Sequence, residues 1–288
     1  MHIFIWKNSM SDNPLGSFFR RPAIYVKLPS RGNYYPPGTI DLPDTGDIPV
    51  YPMTAIDEIT YRTPDALFNG QAVVDVIQSC IPNIKNAWGI PTQDLDLIMI
   101  AIRIASYGHT MDIDTKCPKC GETSTFEIDL RTVLDNIKNP DFDSTERIGD
   151  LEVFFKPLTY KQLSENSMIQ YEEQKLLTML EDNDALADDE KLKILNNAFR
   201  KVSELTVKAV RQGIKQIRTP DTVVTDPKHI DEFLHNCDSK VFDRLVKHIQ
   251  KLKEMSVMDP LKIKCPDCGH EYQQPFTFDM SNFFESAS

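Results

Sequence analysis

Residues 110–130 read TMDIDTKCPKCGETSTFEIDL, and residues 261–278 read LKIKCPDCGHEYQQPFTF. Both stretches carry one figure. Met111, Ile113 and Thr115 lead into the first Cys-Pro-x-Cys-Gly turn, and Thr125, Phe126, Ile128 and Leu130 follow it. Leu261 and Ile263 lead into the second, and Tyr272, Phe276 and Phe278 follow. Alternation of apolar and polar residues is the period of a half-buried strand. Each stretch therefore predicts a strand, a knuckle and a strand, and the two together are an internal repeat of one supersecondary unit. Two thiols three positions apart can grip one ion only if the chain turns tightly between them. The proline fixes φ, and the glycine after the second cysteine accepts a positive φ.

Cys117, Cys120, Cys265 and Cys268 are the residues this pattern offers to a metal. Four thiolates suit a closed tetrahedral site holding one structural Zn²⁺, with about −2 formal charge left at the centre. Lys116, Lys119 and Lys264 flank the knuckles and would offset part of it. A single CxxC is shared with thiol-redox motifs, so a redox dithiol, an iron–sulfur site and a disulfide are the competing readings. His270 follows the second knuckle and is a substitute ligand on paper. A catalytic zinc keeps an open position, whereas four cysteines fill it. His270-Glu271 also lacks the second histidine of HExxH. His109 reads as a solvated or hydrogen-bonded side chain. Cys80 reads as a core thiol, and Cys237, with no CxxC partner, as a buried or idle one.

The rest of the chain is organised around these knuckles. Residues 1–60 are rich in Pro, Gly and aromatics and predict an extended arm with short strands, one at Ile48–Met53. Two readings compete for the arm: the strand-and-loop edge of a domain, or a segment lying on another subunit. Tyr25, Tyr34, Tyr35 and Tyr51 suit an interface. Met10, followed by SDNPLGS, is as good a candidate start as Met1. Residues 61–109 predict two helices. The first opens at Pro64 and Asp65 and stops before Pro82; the second runs from Pro91 and Thr92 to Gly108 and is apolar on most faces, hence buried.

Residues 132–257 predict a large, mostly helical insertion between the repeats. Glu152–Lys156 reads as a short strand, paired with a second at Thr222–Thr225. Helices are expected at Thr159–Leu180 and Asp189–Ile217, joined by the acidic loop EDNDALADDE (181–190), and again at Lys228–Asn236 and Ser239–Met255. Asp226 before Pro227, and Asp238 or Ser239, are capping signals. No a/d heptad register persists over three or four repeats, which predicts a globular helical bundle rather than a coiled coil. The expected fold is α+β: a zinc-ribbon-like β module (110–131 and 258–288), the helical insertion (132–257), a helical segment (61–109) and the N-terminal arm (1–60).

Composition narrows the function. The chain has 288 residues, 41% hydrophobic and 26% charged, the proportions of a globular protein with a real core. No apolar run approaches the roughly 20 residues that span a bilayer. MHIFIWKNS has no small-residue cleavage site, so no export signal is expected, and six cysteines are then expected as reduced thiols. A net charge of −11 opposes a phosphate backbone at long range. No GxxxxGK[ST], GxGxxG or GxSxG motif occurs, and the acidic run 181–190 lacks the pattern of a calcium loop. The sequence therefore predicts no catalytic centre, no small-molecule substrate, no nucleic acid and no membrane.

An ordered series of short motifs adds a resemblance. It comprises Leu28-Pro29-Ser30-Arg31-Gly32, Tyr34-Tyr35-Pro36, Val50-Tyr51-Pro52-Met53-Thr54-Ala55 with Asp57-Glu58, Thr63-Pro64-Asp65-Ala66-Leu67, Asn69-Gly70, Ile102-Arg103, Tyr107-Gly108 and the knuckle Cys117-Pro118-x-Cys120-Gly121. This series, over roughly residues 20–130, resembles the baseplate hub assembly proteins of contractile-tailed, T-even-type bacteriophages. The resemblance implies a virion structural or assembly protein of the tail baseplate, made in the host cytoplasm, whose arm and insertion meet other tail proteins. It supplies no catalytic residues. A zinc-ribbon accessory factor binding nucleic acid is the alternative function, and a thiol redox enzyme a further one.

Overall fold

The computed structural model describes residues 13–62, 70–181 and 188–276. The N-terminal segment does not stand free of the chain. Strand β1 (Ile24–Val26) pairs antiparallel with β2 (Ile48–Val50), Ile24 opposite Val50. Val26, Leu28, Ile48 and Val50 are buried in the larger of two hydrophobic cores. Arg20 fastens the beginning of this segment: its guanidinium donates to the Pro52 carbonyl at 2.7 Å and to the Ser79 carbonyl and hydroxyl, both at 2.8 Å. The expected strand to Met53 stops at Val50. Beyond it, Thr54 caps helix α1 (Ala55–Tyr61) in a capping box with Asp57. Phe18, Phe19 and Tyr25 remain exposed.

Helix α2 (Gln71–Cys80) and helix α3 (Thr92–Tyr107) supply most of this core. The expected opening of α2 at Pro64 and Asp65 lies outside the described residues; Gly70, at φ 78°, precedes the described helix. Val73, Val74, Val76 and Ile77 of α2 are buried. So is an unbroken run from Leu97 to Arg103 on α3, which agrees with its apolar character on most faces. Cys80 is a core thiol, pushed up to about 12 by burial and then by the Asp57 carboxylate.

A buried polar contact ties the N-terminal loop to α3. The Ser30 N–H and hydroxyl donate to the two carboxylate oxygens of Asp94, at 2.8 and 2.5 Å. Burial raises the Asp94 carboxyl to about 6, against the opposing effect of those two hydrogen bonds.

Two antiparallel strands follow, β3 (Thr110–Lys116) and β4 (Thr123–Asp129), in register from Thr110 opposite Asp129 to Lys116 opposite Thr123. Short helix α4 (Leu130–Asp135) seats Leu130 and Val133 in the first core. The segment 132–257 contains a four-stranded antiparallel sheet besides its helices. Its strands are β5 (Thr145–Ile148), β6 (Leu151–Phe155), β7 (Ile214–Arg218) and β8 (Val223–Val224), in that order across the sheet. Helices α5 (Tyr160–Glu181) and α6 (Asp188–Gly213) form an antiparallel pair, pinned where Lys201 meets the buried carboxylate of Glu173 at 2.6 Å. Helices α7 (Pro227–Asn236, capped by Asp226) and α8 (Ser239–Ser256, capped by Asp238) complete a second core with Val153, Phe155, Ile214 and Ile217.

Two expectations need correction here. The helix expected to Ile217 ends at Gly213, and the next five residues form strand β7. Ile214 and Ile217 are β-branched; both are buried, opposite Phe155 and Val153 of β6. The strand expected at Thr222–Thr225 pairs with β7 and not with Glu152–Lys156, because β7 occupies the slot between them. Of the acidic loop, Glu181 ends α5, Asp188–Glu190 open α6, and 182–187 lie outside the described residues. Cys237 is half-buried after α7, its thiol 3.6 Å from the Leu234 carbonyl. The chain returns through β9 (Leu261–Lys264) and β10 (Glu271–Gln274), an antiparallel hairpin in register from Leu261 opposite Gln274 to Lys264 opposite Glu271. Among the described residues no helix is long and apolar enough to cross a membrane.

Candidate metal centre

The two knuckles are built alike. In the first, the Cys117 N–H donates to the Glu122 carbonyl at 2.9 Å and the Gly121 N–H to the Cys117 carbonyl at 2.9 Å. In the second, the Cys265 N–H donates to the His270 carbonyl at 2.9 Å and the Gly269 N–H to the Cys265 carbonyl at 3.0 Å. Gly121 and Gly269 take φ values of 76° and 68°, the left-handed region that a side chain disfavours. Each turn therefore has the backbone that its Cys-Pro-x-Cys-Gly sequence predicts.

The hairpins bring the knuckles together. The sulfurs of Cys117 and Cys268 lie 3.7 Å apart, as do those of Cys120 and Cys265. All four sulfurs lie within 4.8 Å of one another. A disulfide would need about 2.05 Å, so these are four free thiols. A tetrahedral ion at about 2.3 Å from each sulfur sets neighbouring sulfurs roughly 3.8 Å apart. The spacing is thus close enough for all four to reach one metal ion. Among the described residues no other group of three or more His, Cys, Asp or Glu side chains meets that condition.

The cluster's environment is uneven. Cys117 and Cys265 are buried, Cys268 is half-buried and Cys120 is exposed. The Cys117 thiol is held down to about 7, chiefly by the backbone N–H of Cys120, with the Lys119 N–H adding to it. The backbone N–H of Glu122 favours the Cys120 thiolate, but burial and the other three sulfurs together push that thiol up to about 12. Backbone donors aimed at sulfur favour thiolates, while like charges packed together oppose them. A cation bound by all four sulfurs would resolve that conflict.

Side chains outside the knuckles also join the hairpins. The buried Thr115 hydroxyl and the Tyr272 hydroxyl meet at 2.6 Å, and Lys138 pairs with Asp259 at 2.6 Å just before β9. Neither contact is legible in the sequence. The period-2 pattern put Thr115 and Tyr272 on strands, but nothing local showed that the strands face each other. Of the residues weighed as extra ligands, His270 stands outside the cysteine cluster with its ring against Tyr272, 6.2 Å between centroids. His109 contributes its carbonyl to the Leu130 N–H. Lys264, expected to offset the charge, lies 3.8 Å from Glu271.

No curated protein and no solved structure matches the chain. A comparison with protein families does match, and it covers most of the chain. Residues 39–285 match the family described as T4 bacteriophage base plate protein. That span holds both knuckles and the whole segment between them, where the motif series of the N-terminal part stopped at the first. The match over 39–285 places the chain in the T4 bacteriophage base plate protein family, as a component of a phage tail baseplate.

Proposed function

We propose that this chain is an architectural, non-enzymatic part of the hub region of the baseplate, in which one Zn²⁺ held by Cys117, Cys120, Cys265 and Cys268 closes a zinc-ribbon-like module. The observation that carries the reading is that four sulfurs from two hairpins 145–151 residues apart converge within 4.8 Å inside the family match. The residues fit the ion: four sulfur donors suit a tetrahedral closed site, and no position is left open for a reacting water. Zinc would supply charge neutralisation and a fixed cross-link; the chain's own residues would do the rest. The knuckle N–H groups orient the sulfurs, Thr115 and Tyr272 hold the hairpins in register, and the ends of segment 132–257 are thereby drawn together.

On this reading the two hairpins, β3–β4 and β9–β10, are a rigid base. The insertion and the N-terminal segment are the parts offered to other tail proteins, in the virion and in the host cytoplasm during assembly. Exposed Phe18, Phe19 and Tyr25 on the N-terminal segment favour it, since large apolar side chains left in water mark contact surfaces. The test has two arms. Elemental analysis of the untagged protein should give about one zinc per chain. Tails assembled in its presence should retain it through purification in a fixed ratio to the other baseplate proteins. Metal-free protein that still incorporates would remove the zinc; zinc protein that never associates with tails would remove the architectural role.

A further inference from the structure

A cavity of about 430 Å³ opens where the two cores meet, between the start of α3, the connection from β6 to α5, and the last turns of α8. Leu95 and Leu163 of the first core and Phe155 and Leu252 of the second form much of its wall. Cavities of this size and lining take small ligands, which a few fixed polar groups then orient. Three polar side chains in this wall have no task in the fold. Gln93, in the first turn of α3, is only 7% exposed, and its Oε1 has no hydrogen-bond partner among the described residues. A buried amide oxygen left unpaired carries its full desolvation cost, so the cavity offers an acceptor to an N–H group.

The other two groups are charged, and of opposite sign. Asp96 follows Gln93 on the same helix, and burial raises its carboxyl with no cation to lower it. Lys156 comes directly after β6, its backbone N–H held by the Gly213 carbonyl at 2.9 Å. Burial lowers its ammonium, the Arg211 guanidinium lowers it further, and no carboxylate among the described residues raises it. Asp96 and Lys156 thus line one cavity without pairing with each other. Both are half-buried. A charge partly withdrawn from water and left uncompensated is costly, and an opposite charge brought in from outside relieves that cost. Lys253 lines the same space but stays exposed, where water serves it.

We propose that this cavity binds a free α-amino acid with a large apolar side chain. The side chain fills the apolar volume, the carboxylate meets the Lys156 ammonium, and the ligand's own ammonium group donates to Asp96 and to Gln93 Oε1. A ligand with one charge does not satisfy all three groups. A fatty acid leaves Asp96 and Gln93 unpaired, and an apolar amine leaves Lys156 unpaired. Because the wall is drawn from both cores, the bound amino acid bridges them and stiffens their junction. This proposal rests on neither the metal nor the baseplate role.

The test is calorimetric titration of the full-length protein with L-phenylalanine and L-leucine, which should show one site per chain. Phenylalaninamide lacks the carboxylate and N-acetylphenylalanine lacks the ammonium group. Each should bind about tenfold more weakly than phenylalanine, since each leaves one charge of the wall unpaired. Lys156→Met should erase the preference for phenylalanine over its amide and keep the preference over the N-acetyl compound. Asp96→Asn should do the reverse, a crossed pattern that a general loss of folding does not produce. Gln93→Leu should raise the melting temperature of the free protein while weakening phenylalanine, because the stranded oxygen and the ligand's acceptor are the same atom. No binding of either amino acid, preferences that the variants leave unmoved, or tighter binding of N-acetylphenylalaninamide, the mark of a peptide segment, would each overturn the proposal.

Discussion

The hydroxyls of Thr115 and Tyr272 meet at 2.6 Å, although 157 residues separate them in sequence. Thr115 is buried, so its hydroxyl cannot turn to water when its partner is removed. Tyr272→Phe should therefore cost about 1–3 kcal/mol, the penalty of an orphaned buried polar group. Thr115→Val combined with Tyr272→Phe should recover part of that loss, since no donor or acceptor is then stranded. Chemical denaturation of the two single variants and the double variant measures the coupling. A fully additive cycle would mean that the two hydroxyls do not interact.

Cys265→Ser removes one thiolate of the proposed four. Metal affinity should fall by well over the roughly 10–100-fold that loss of an outer-shell partner costs. The melting temperature should fall to that of chelator-treated wild-type protein. The decisive comparison is between variant and stripped wild type, because both should lose the same cross-link. Wild-type metal content and melting behaviour in Cys265→Ser would rule out the four-thiolate site.

Gly121 and Gly269 are the two places where the knuckles demand a backbone that other residues resist, at φ 76° and 68°. No neighbouring atom comes closer than 4.0 Å to an added Cβ at Gly121, and nothing lies within 4 Å at Gly269, so the penalty is conformational and not steric. Gly121→Ala and Gly269→Ala should each destabilise by roughly 1–2 kcal/mol. Because the sites stand at equivalent turns, the two losses should be similar. Equilibrium unfolding of each variant checks both the size and the equality.

What was legible in the sequence follows from how local each signal is. Both CPxCG turns could be read because proline, glycine and cysteine each dictate something within five residues. α3 could be read because its apolar residues cover most of the helix. Strand β7 was misread because IKQIR adjoins a long helical pattern, and only the distant strand β6 gives Ile214 and Ile217 their buried slot. Ser30 stands within the Leu28–Gly32 motif, and Asp94 has the local pattern of any first-turn helix acid. Their contact spans 64 residues and leaves no local pattern. Side-chain pairs of that kind are set by packing, which a single sequence does not display.

Asp94 gives that contact a pH signature. It is fully buried, and its carboxyl is raised from 3.8 to about 6. Below the unfolded value both states hold the proton, and the group contributes no pH dependence. As pH rises from about 4 to 6 the unfolded chain releases its proton first, which favours unfolding. Above that range the loss is complete, at about 3 kcal/mol. Stability attributable to Asp94 should thus decline between those pH values and then level. Asp94→Asn keeps an oxygen for the Ser30 N–H and cannot ionise, so it should remove this decline and be more stable relative to wild type at pH 7 than at pH 4. Asp94→Ala strands the Ser30 donors and should be destabilised at both. Unfolding curves of the three proteins at pH 4 and 7 separate the outcomes. An Asn variant that follows the wild-type pH profile would show that Asp94 ionises in the folded state as readily as in the unfolded one.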